Sequence, residues 1–279
     1  MKWEEMAIET QSNSMTGRWS EWFIEKIGGL LSRQAPPQRA YLCDFNKLCD
    51  KIRPVDVLLV EGRSRISRMI RHVTQSPWSH AALYIGRLQD IQEHSLQKLI
   101  KTHYDGPPDK QLLVESELGL GTIISPLDKY KDDHLRIVRP EWLAQEDVSR
   151  VVIYALNRLG KNYDVRHVFD LARFLFPWGI FPRKWRSTLF QHNAMQPTED
   201  ICSSMIADAF QSVHYPILPF IHEGNKHHIE LVRRNPRLFT PSDFDYSPFF
   251  SVIKYPIFPP NIIKGYAHLP WNKEQISDL

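Results

Sequence analysis

Cysteine is scarce in this 279-residue chain, which has only Cys43, Cys49 and Cys202. Three scattered thiols cannot form a disulfide scaffold, and they point to a reducing compartment or to indifference to redox state. Cys43 and Cys49 have five residues between them, unlike the Cys-x-x-Cys pair of a redox or zinc site, and read as core or surface thiols. Long apolar runs are also missing: none approaches the ~20 residues of a membrane-spanning helix. The opening Met1-Lys2-Trp3-Glu4-Glu5-Met6 is acidic and lacks the continuous apolar run of a secretory signal peptide. Nor does one sign of charge dominate. The 35 Lys and Arg against 32 Asp and Glu give +3, too even a balance for nucleic acid to be the main partner. No internal repeat or low-complexity tract is visible. The expectation is a soluble, cytoplasmic protein, with association to a membrane surface left open.

Apolar material is ample for one sizeable core, at 42% hydrophobic residues against 24% charged. Trp19, Trp22, Phe23, Ile27 and Leu30 fall at helical spacing, as a helix packed on the core or a membrane-surface helix would place them. Ala35-Pro36-Pro37-Gln38 breaks that helix. The apolar run at 54–60 predicts a buried strand, and residues 64–73 predict a basic amphipathic helix. Further strands are predicted at 81–86, 111–115 and 135–139, with a turn at Gly119-Leu120-Gly121 that is too short for a nucleotide loop. Residues 144–159 read as a helix ended by Gly160, and further helical patterns cover 164–176 and 203–213. Beyond them the chain is rich in proline. The predicted class is α+β. Its organisation is a helical extension over 1–50, a core over 51–215, and a proline-rich extension over 216–279 packed on that core.

Three reactive side chains stand in mechanically sensible settings: His80 entering a strand, Glu115 ending one, and Cys202 beginning a helix. A cysteine at a helix N-terminus feels the positive end of the helix dipole, and a neighbouring imidazolium lowers its pKa further. That is the electrostatic requirement for a thiolate nucleophile. Each residue alone has a plainer explanation: a cysteine packed before an apolar helix face, a hydrogen-bonded histidine, a solvated carboxylate at a strand end. Glu117, two residues from Glu115, faces the same side of an extended strand and rivals it.

Taken together, these residues resemble the permuted NlpC/P60 group of papain-like hydrolases, nearest to its YiiX-type members. The likeness runs in order through Arg53-Pro54-Val55-Asp56-Val57-Leu58-Leu59, Trp78-Ser79-His80-Ala81-Ala82-Leu83-Tyr84-Ile85-Gly86 and Val114-Glu115-Ser116. It continues through Ser125-Pro126-Leu127, Gly160-Lys161-Asn162-Tyr163-Asp164 and Ile201-Cys202-Ser203-Ser204-Met205-Ile206. It spans about residues 52–213 and leaves both ends unmatched. One departure is Val55, where a glycine often precedes the aspartate.

The resemblance implies a circularly permuted papain-like fold, a small antiparallel sheet or barrel packed against helices. It implies Cys202 as nucleophile, His80 as base, and Glu115, preferred to Glu117, as the group that orients the imidazole. The backbone N–H of Cys202 is the first candidate for the oxyanion site. Trp78, Tyr163 and Ser203 are the expected substrate contacts, although Tyr163 reads equally well as a core tyrosine with a satisfied hydroxyl. The implied activity is an amidase or peptidase that works on an amide-containing or peptide substrate through an acyl-cysteine and needs no cofactor. The alternatives are a lipid-directed thiol acyltransferase or esterase at a membrane surface, and a binding module without activity.

His222, Glu223, His227 and His228 cluster in sequence but lack the helical His-x-x-x-His spacing of common zinc motifs, so no metal site is expected. Residues 174–185 combine Phe174, Phe176, Trp178, Phe181 and Trp185 with Arg173, Arg183, Lys184 and Arg186. That composition suits either a surface that meets anionic lipid headgroups or a lid over the cleft. Oligomeric state is left open.

Overall fold

The computed structural model of the chain describes residues 44–117, 120–160, 202–223 and 229–255. The predicted helices over 19–31 and 164–176, together with Cys43, Tyr163, His227, His228 and the aromatic stretch 174–185, lie outside the described residues.

Strands β1 (Val57–Glu61), β2 (His80–Arg87), β3 (Gln111–Glu117), β4 (Gly121–Pro126), β5 (His134–Pro140) and β8 (Phe250–Ile253) form one antiparallel sheet in the order β4-β3-β2-β1-β5-β8. The sheet is open, with β4 and β8 at its two edges. Strands β6 (Phe220–Glu223) and β7 (Ile229–Val232) pair only with each other. Around the sheet stand helices α1 (Phe45–Lys51), α2 (Arg65–Thr74), α3 (His94–His103), α4 (Gln145–Leu156), α5 (Cys202–Ser212) and α6 (Pro241–Tyr246). This is the expected α+β class, and the sheet does not close into a barrel.

The strand Val57-Leu58-Leu59-Val60 is apolar at every position because both of its faces are covered. Alternation sends Val57, Leu59, Ala81, Leu83, Leu112 and Val114 to one core, which α4 and α5 complete with Val151, Ala155, Met205 and Phe210. Leu58, Val60, Ala82, Tyr84 and Leu113 point the other way and pack under Leu48 and Ile52, at α1 and its end, together with Leu127, Tyr130 and Tyr255.

Local chemistry sets the helix boundaries. The Asp44 carboxylate caps α1 by accepting from the N–H groups of Asn46 and Lys47 at 2.9 and 3.2 Å. Thr240 and Asp243 form a capping box at α6, whose first residue is Pro241.

The structure moves some sequence boundaries. The first strand begins at Val57, not 54, because residues 53–56 form a turn in which Val55 takes a left-handed φ of 65°. That turn is closed by the Asp56 N–H donating to the Arg53 carbonyl at 3.0 Å. The helix predicted over 144–159 stops at Leu156, and Gly160 follows with a φ of 75°. β4, which was not expected, opens at Gly121, the last residue of the predicted turn. The proline-rich stretch holds regular elements: α6, the β6–β7 hairpin, and β8, which pairs with β5. Short α1 and α3 were not expected.

Asp56 anchors the turn from inside. It is buried, accepts from the Arg53 N–H at 2.7 Å, and is clamped by the Arg139 Nε and an Nη at 2.8 and 2.7 Å. Burial still pushes its carboxyl above the usual carboxylate range, and Arg139 opposes that push. Arg139→Met should therefore cost about 3 kcal/mol in urea unfolding at neutral pH. A raised folded-state pKa means the ionised form is the costly one, and losing Arg139 raises it further, so this deficit should already shrink as pH falls toward the ordinary carboxylate value of 3.8.

Candidate active site

His80 is the first residue of β2 and shares a sheet face with Ala82 and Tyr84, while Glu115 shares that face with Leu113 on the neighbouring β3. The His80 Nε2 lies 2.6 Å from the Glu115 Oε2. Glu115 is 0% exposed, so its charge must be met by protein groups. Three more donors meet it. The Lys129 Nζ donates to Oε1 at 2.9 Å, the Tyr130 hydroxyl donates to Oε2, and Ser125 supplies a side-chain hydrogen bond. Burial alone would raise the Glu115 pKa. The bond to His80, the imidazolium charge, Lys129 and Ser125 outweigh it and hold the carboxyl well below the usual range.

Alternation puts both Glu115 and Glu117 on this side, and geometry separates them. Glu117 bonds Lys129, and it is Glu115 that bonds His80. Lys129 thus ties the two carboxylates together.

With Nε2 bonded to Glu115, the His80 ring has Nδ1 for a second partner. Cys202 is the buried first residue of α5 and is hydrogen-bonded to the His80 side chain. The backbone N–H groups of Ala81 and Ser203 also point at its sulfur. Burial raises a thiol pKa, but here the His80 charge, the His80 hydrogen bond and those two N–H groups prevail and lower it below the ordinary thiol value. Burial likewise pulls His80 down, yet the Cys202 thiolate and the Glu115 carboxylate hold its pKa up to about 10. The side chain is 19% exposed, so one edge of the pair meets solvent. These directions favour a thiolate–imidazolium pair backed by a buried carboxylate. Cys49 is the contrast: burial and Asp50 raise its thiol pKa.

Two expected substrate contacts are placed otherwise. Trp78 is 1% exposed, donates its indole N–H to Asp245 at 2.9 Å and stacks under the Arg136 guanidinium, so its side chain belongs to the core. Ser203 is buried and its hydroxyl donates to the Phe239 carbonyl at 2.6 Å, leaving only its backbone N–H beside the sulfur. Lys129 and Tyr130 were not singled out from sequence. They sit on a 3₁₀ turn, 127–130, just after the Ser125-Pro126-Leu127 landmark, which was the only signal near them. Among the described residues, no group of three or more His, Cys, Asp or Glu converges as a metal ion would need.

Residues 51–174 match the family model of the permuted papain-like amidase enzymes, YaeF/YiiX, the C92 family. This stretch is similar to those amidases. The match supports an enzyme, a hydrolase of the cysteine class. The matched stretch contains His80 and Glu115 and ends before Cys202. No curated protein matches the chain. Among solved structures, the chain is similar to that of the metalloprotein yiiX from Escherichia coli O157:H7, at 15% identity and a TM-score of 0.44, covering 74% of this chain and 98% of that one. No helix among the described residues is long and apolar enough to cross a membrane.

Tyr130 is buried, so Tyr130→Phe takes a donor from a carboxylate that water cannot reach. Urea unfolding should show a loss of about 1–3 kcal/mol. An unchanged midpoint would mean that the hydroxyl does not support Glu115.

Proposed function

We propose that the enzyme cleaves an amide bond through an acyl-cysteine on Cys202, with His80 as the proton carrier and Glu115 as the group that orients its ring. The observation that carries this reading is the continuous contact from the Cys202 thiol through His80 to Glu115, closed by the 2.6 Å His80–Glu115 bond. The thiolate attacks the carbonyl carbon, and the carbonyl oxygen becomes an oxyanion. The first candidate donor for that oxyanion is the Cys202 N–H at the start of α5. The imidazolium gives its proton to the leaving amine, the C–N bond breaks, and the acyl group stays on sulfur. Neutral His80 then takes a proton from water, whose hydroxide releases the acid and restores the thiolate–imidazolium pair.

Glu115 remains ionised throughout. Its role is to keep Nε2 protonated and Nδ1 turned to sulfur, as the carboxylate of a triad does. The family description names amidases, which favours an amide over an ester as the substrate. A nucleophile that works as a free thiolate also favours a reducing compartment such as the cytoplasm. We assign the catalytic unit to residues 51–215, with 1–50 and 216–279 as extensions to it.

Iodoacetamide labelling followed across pH tests the pair directly. In the unchanged protein, Cys202 should label well below pH 9.0, the ordinary thiol value, and ahead of Cys49. In His80→Ala the midpoint should rise, because burial is then opposed only by the Ala81 and Ser203 N–H groups. Superimposable pH curves for the two proteins would remove His80 as the activating group. With an amide substrate, Cys202→Ser and His80→Ala should each lower kcat/KM by about a thousandfold, and Glu115→Gln by about a hundredfold. The pH profile of kcat/KM should rise as the thiolate forms and fall as pH passes about 10, where His80 loses its proton.

A further inference from the structure

The β6–β7 hairpin follows α5 in the chain but joins no other sheet. Its register sets Ile221 opposite Leu231 and the backbone of Glu223 opposite Ile229. Ile221, Ile229 and Leu231 therefore share one face, and they are 68%, 69% and 56% exposed. Phe220 and Val232, paired on the other face, are open as well. A two-stranded ribbon alone is marginal in water, and apolar side chains on both faces gain nothing by facing solvent.

The base of the hairpin is firmly held. The Gln211 amide donates to the Arg234 carbonyl at 2.9 Å, and the Arg234 guanidinium bonds Asp243 and the Leu238 carbonyl while lying over the Phe239 ring. The ribbon thus projects from a fixed base at the Ser212 end of α5.

Its charge is one-sided. Over residues 220–238 the sequence has Lys226, Arg233, Arg234 and Arg237 against Glu223 and Glu230, with His222, His227 and His228 among them. Arg233 and Arg237 are exposed, beside the equally exposed Leu238. Apolar tips flanked by guanidinium groups match the interface of an anionic bilayer, where aliphatic side chains enter below the headgroups and cations meet the phosphates. A protein partner fits less well, because a standard interface covers ~800 Å² on each side and a few aliphatic side chains fall far short of that.

We propose that the β6–β7 hairpin docks the protein on an anionic lipid surface, with Ile221, Ile229 and Leu231 inserting and Arg233 and Arg237 engaging lipid phosphates. This proposal stands apart from the catalytic reading, since none of these residues belongs to the Cys202–His80–Glu115 site.

The test is vesicle co-sedimentation of the full chain, with phosphatidylcholine vesicles that contain or lack phosphatidylserine. Binding should require phosphatidylserine and weaken as salt shortens the reach of the charges. The triple variant Ile221→Ser, Ile229→Ser, Leu231→Ser should lose at least about tenfold in affinity. Arg233→Gln and Arg237→Gln should each lose about fivefold. Iodoacetamide labelling of Cys202 should be unchanged in all of them, which shows that the variants fold. Failure of the full chain to bind anionic vesicles would overturn the proposal. So would binding that the hairpin variants leave intact, or a dimer in sedimentation velocity that these variants abolish, which would assign the face to a second copy.

Discussion

A carboxylate with no access to water governs the arrangement around it. An isolated ionised Glu115 in the interior would be prohibitively costly, so the surrounding elements each deliver a donor to it. β2 brings His80, the turn after β4 brings Lys129 and Tyr130, and β4 itself brings Ser125. Those groups keep Glu115 ionised even though it is buried. The Cys202 sulfur and the ionised Glu115 together raise the His80 pKa, and the His80 charge in turn lowers the thiol pKa of Cys202. The three groups therefore tune one another, and the sheet register that aligns β2 with β3 and β3 with β4 is what brings the donors to Glu115 within reach.

The two cores divide the work. The one that contains Leu59, Leu83 and Val114 holds α5 against the sheet and so fixes the position of the sulfur. The other, around Leu58, Tyr84 and Tyr130, keeps water from Glu115. Trp78 joins distant parts of the chain, because its indole N–H and the Arg136 guanidinium above its ring both end on Asp245. The tryptophan beside the histidine in sequence is thus a brace for the strand that carries His80.

Periodicity alone gave β1, β2, β3, β5 and the helix that begins at Cys202, because continuous apolar runs and strict alternation are local signals. It missed α3, whose pattern rests on little more than Leu96, Leu99 and Ile100, and it missed β4, which starts in a glycine turn, and β8, hidden in a stretch dominated by proline. The reactive residues were legible only as an ordered set, since none of the three is unusual alone. Alternation gave Glu115 and Glu117 the same direction, and a two-residue offset along the strand, which no local pattern encodes, decides which one reaches the imidazole. Lys129 was invisible for a related reason: a lysine on a short turn looks like solvated charge until the fold places a buried carboxylate beneath it. Trp78 and Ser203, expected as substrate contacts, have buried side chains that satisfy long-range partners, Asp245 and the Phe239 carbonyl. The glycine-like turn at Val55 was the one place where a departure from the family pattern pointed to real backbone geometry.

The order in which the chain contributes its parts has a consequence for biosynthesis. Strands β1 to β5, with Glu115 and its donors, come from residues 57–140 and, apart from the β1–β5 pair, join strands consecutive in the chain, while the sulfur comes from residue 202. Chains grow from the N-terminus, and contacts between nearby segments form first. On the ribosome, the His80–Glu115 pair is therefore made before Cys202 is. The thiol meets the His80 ring only when α5 docks, so a stalled or truncated chain carries the imidazole–carboxylate pair without its sulfur.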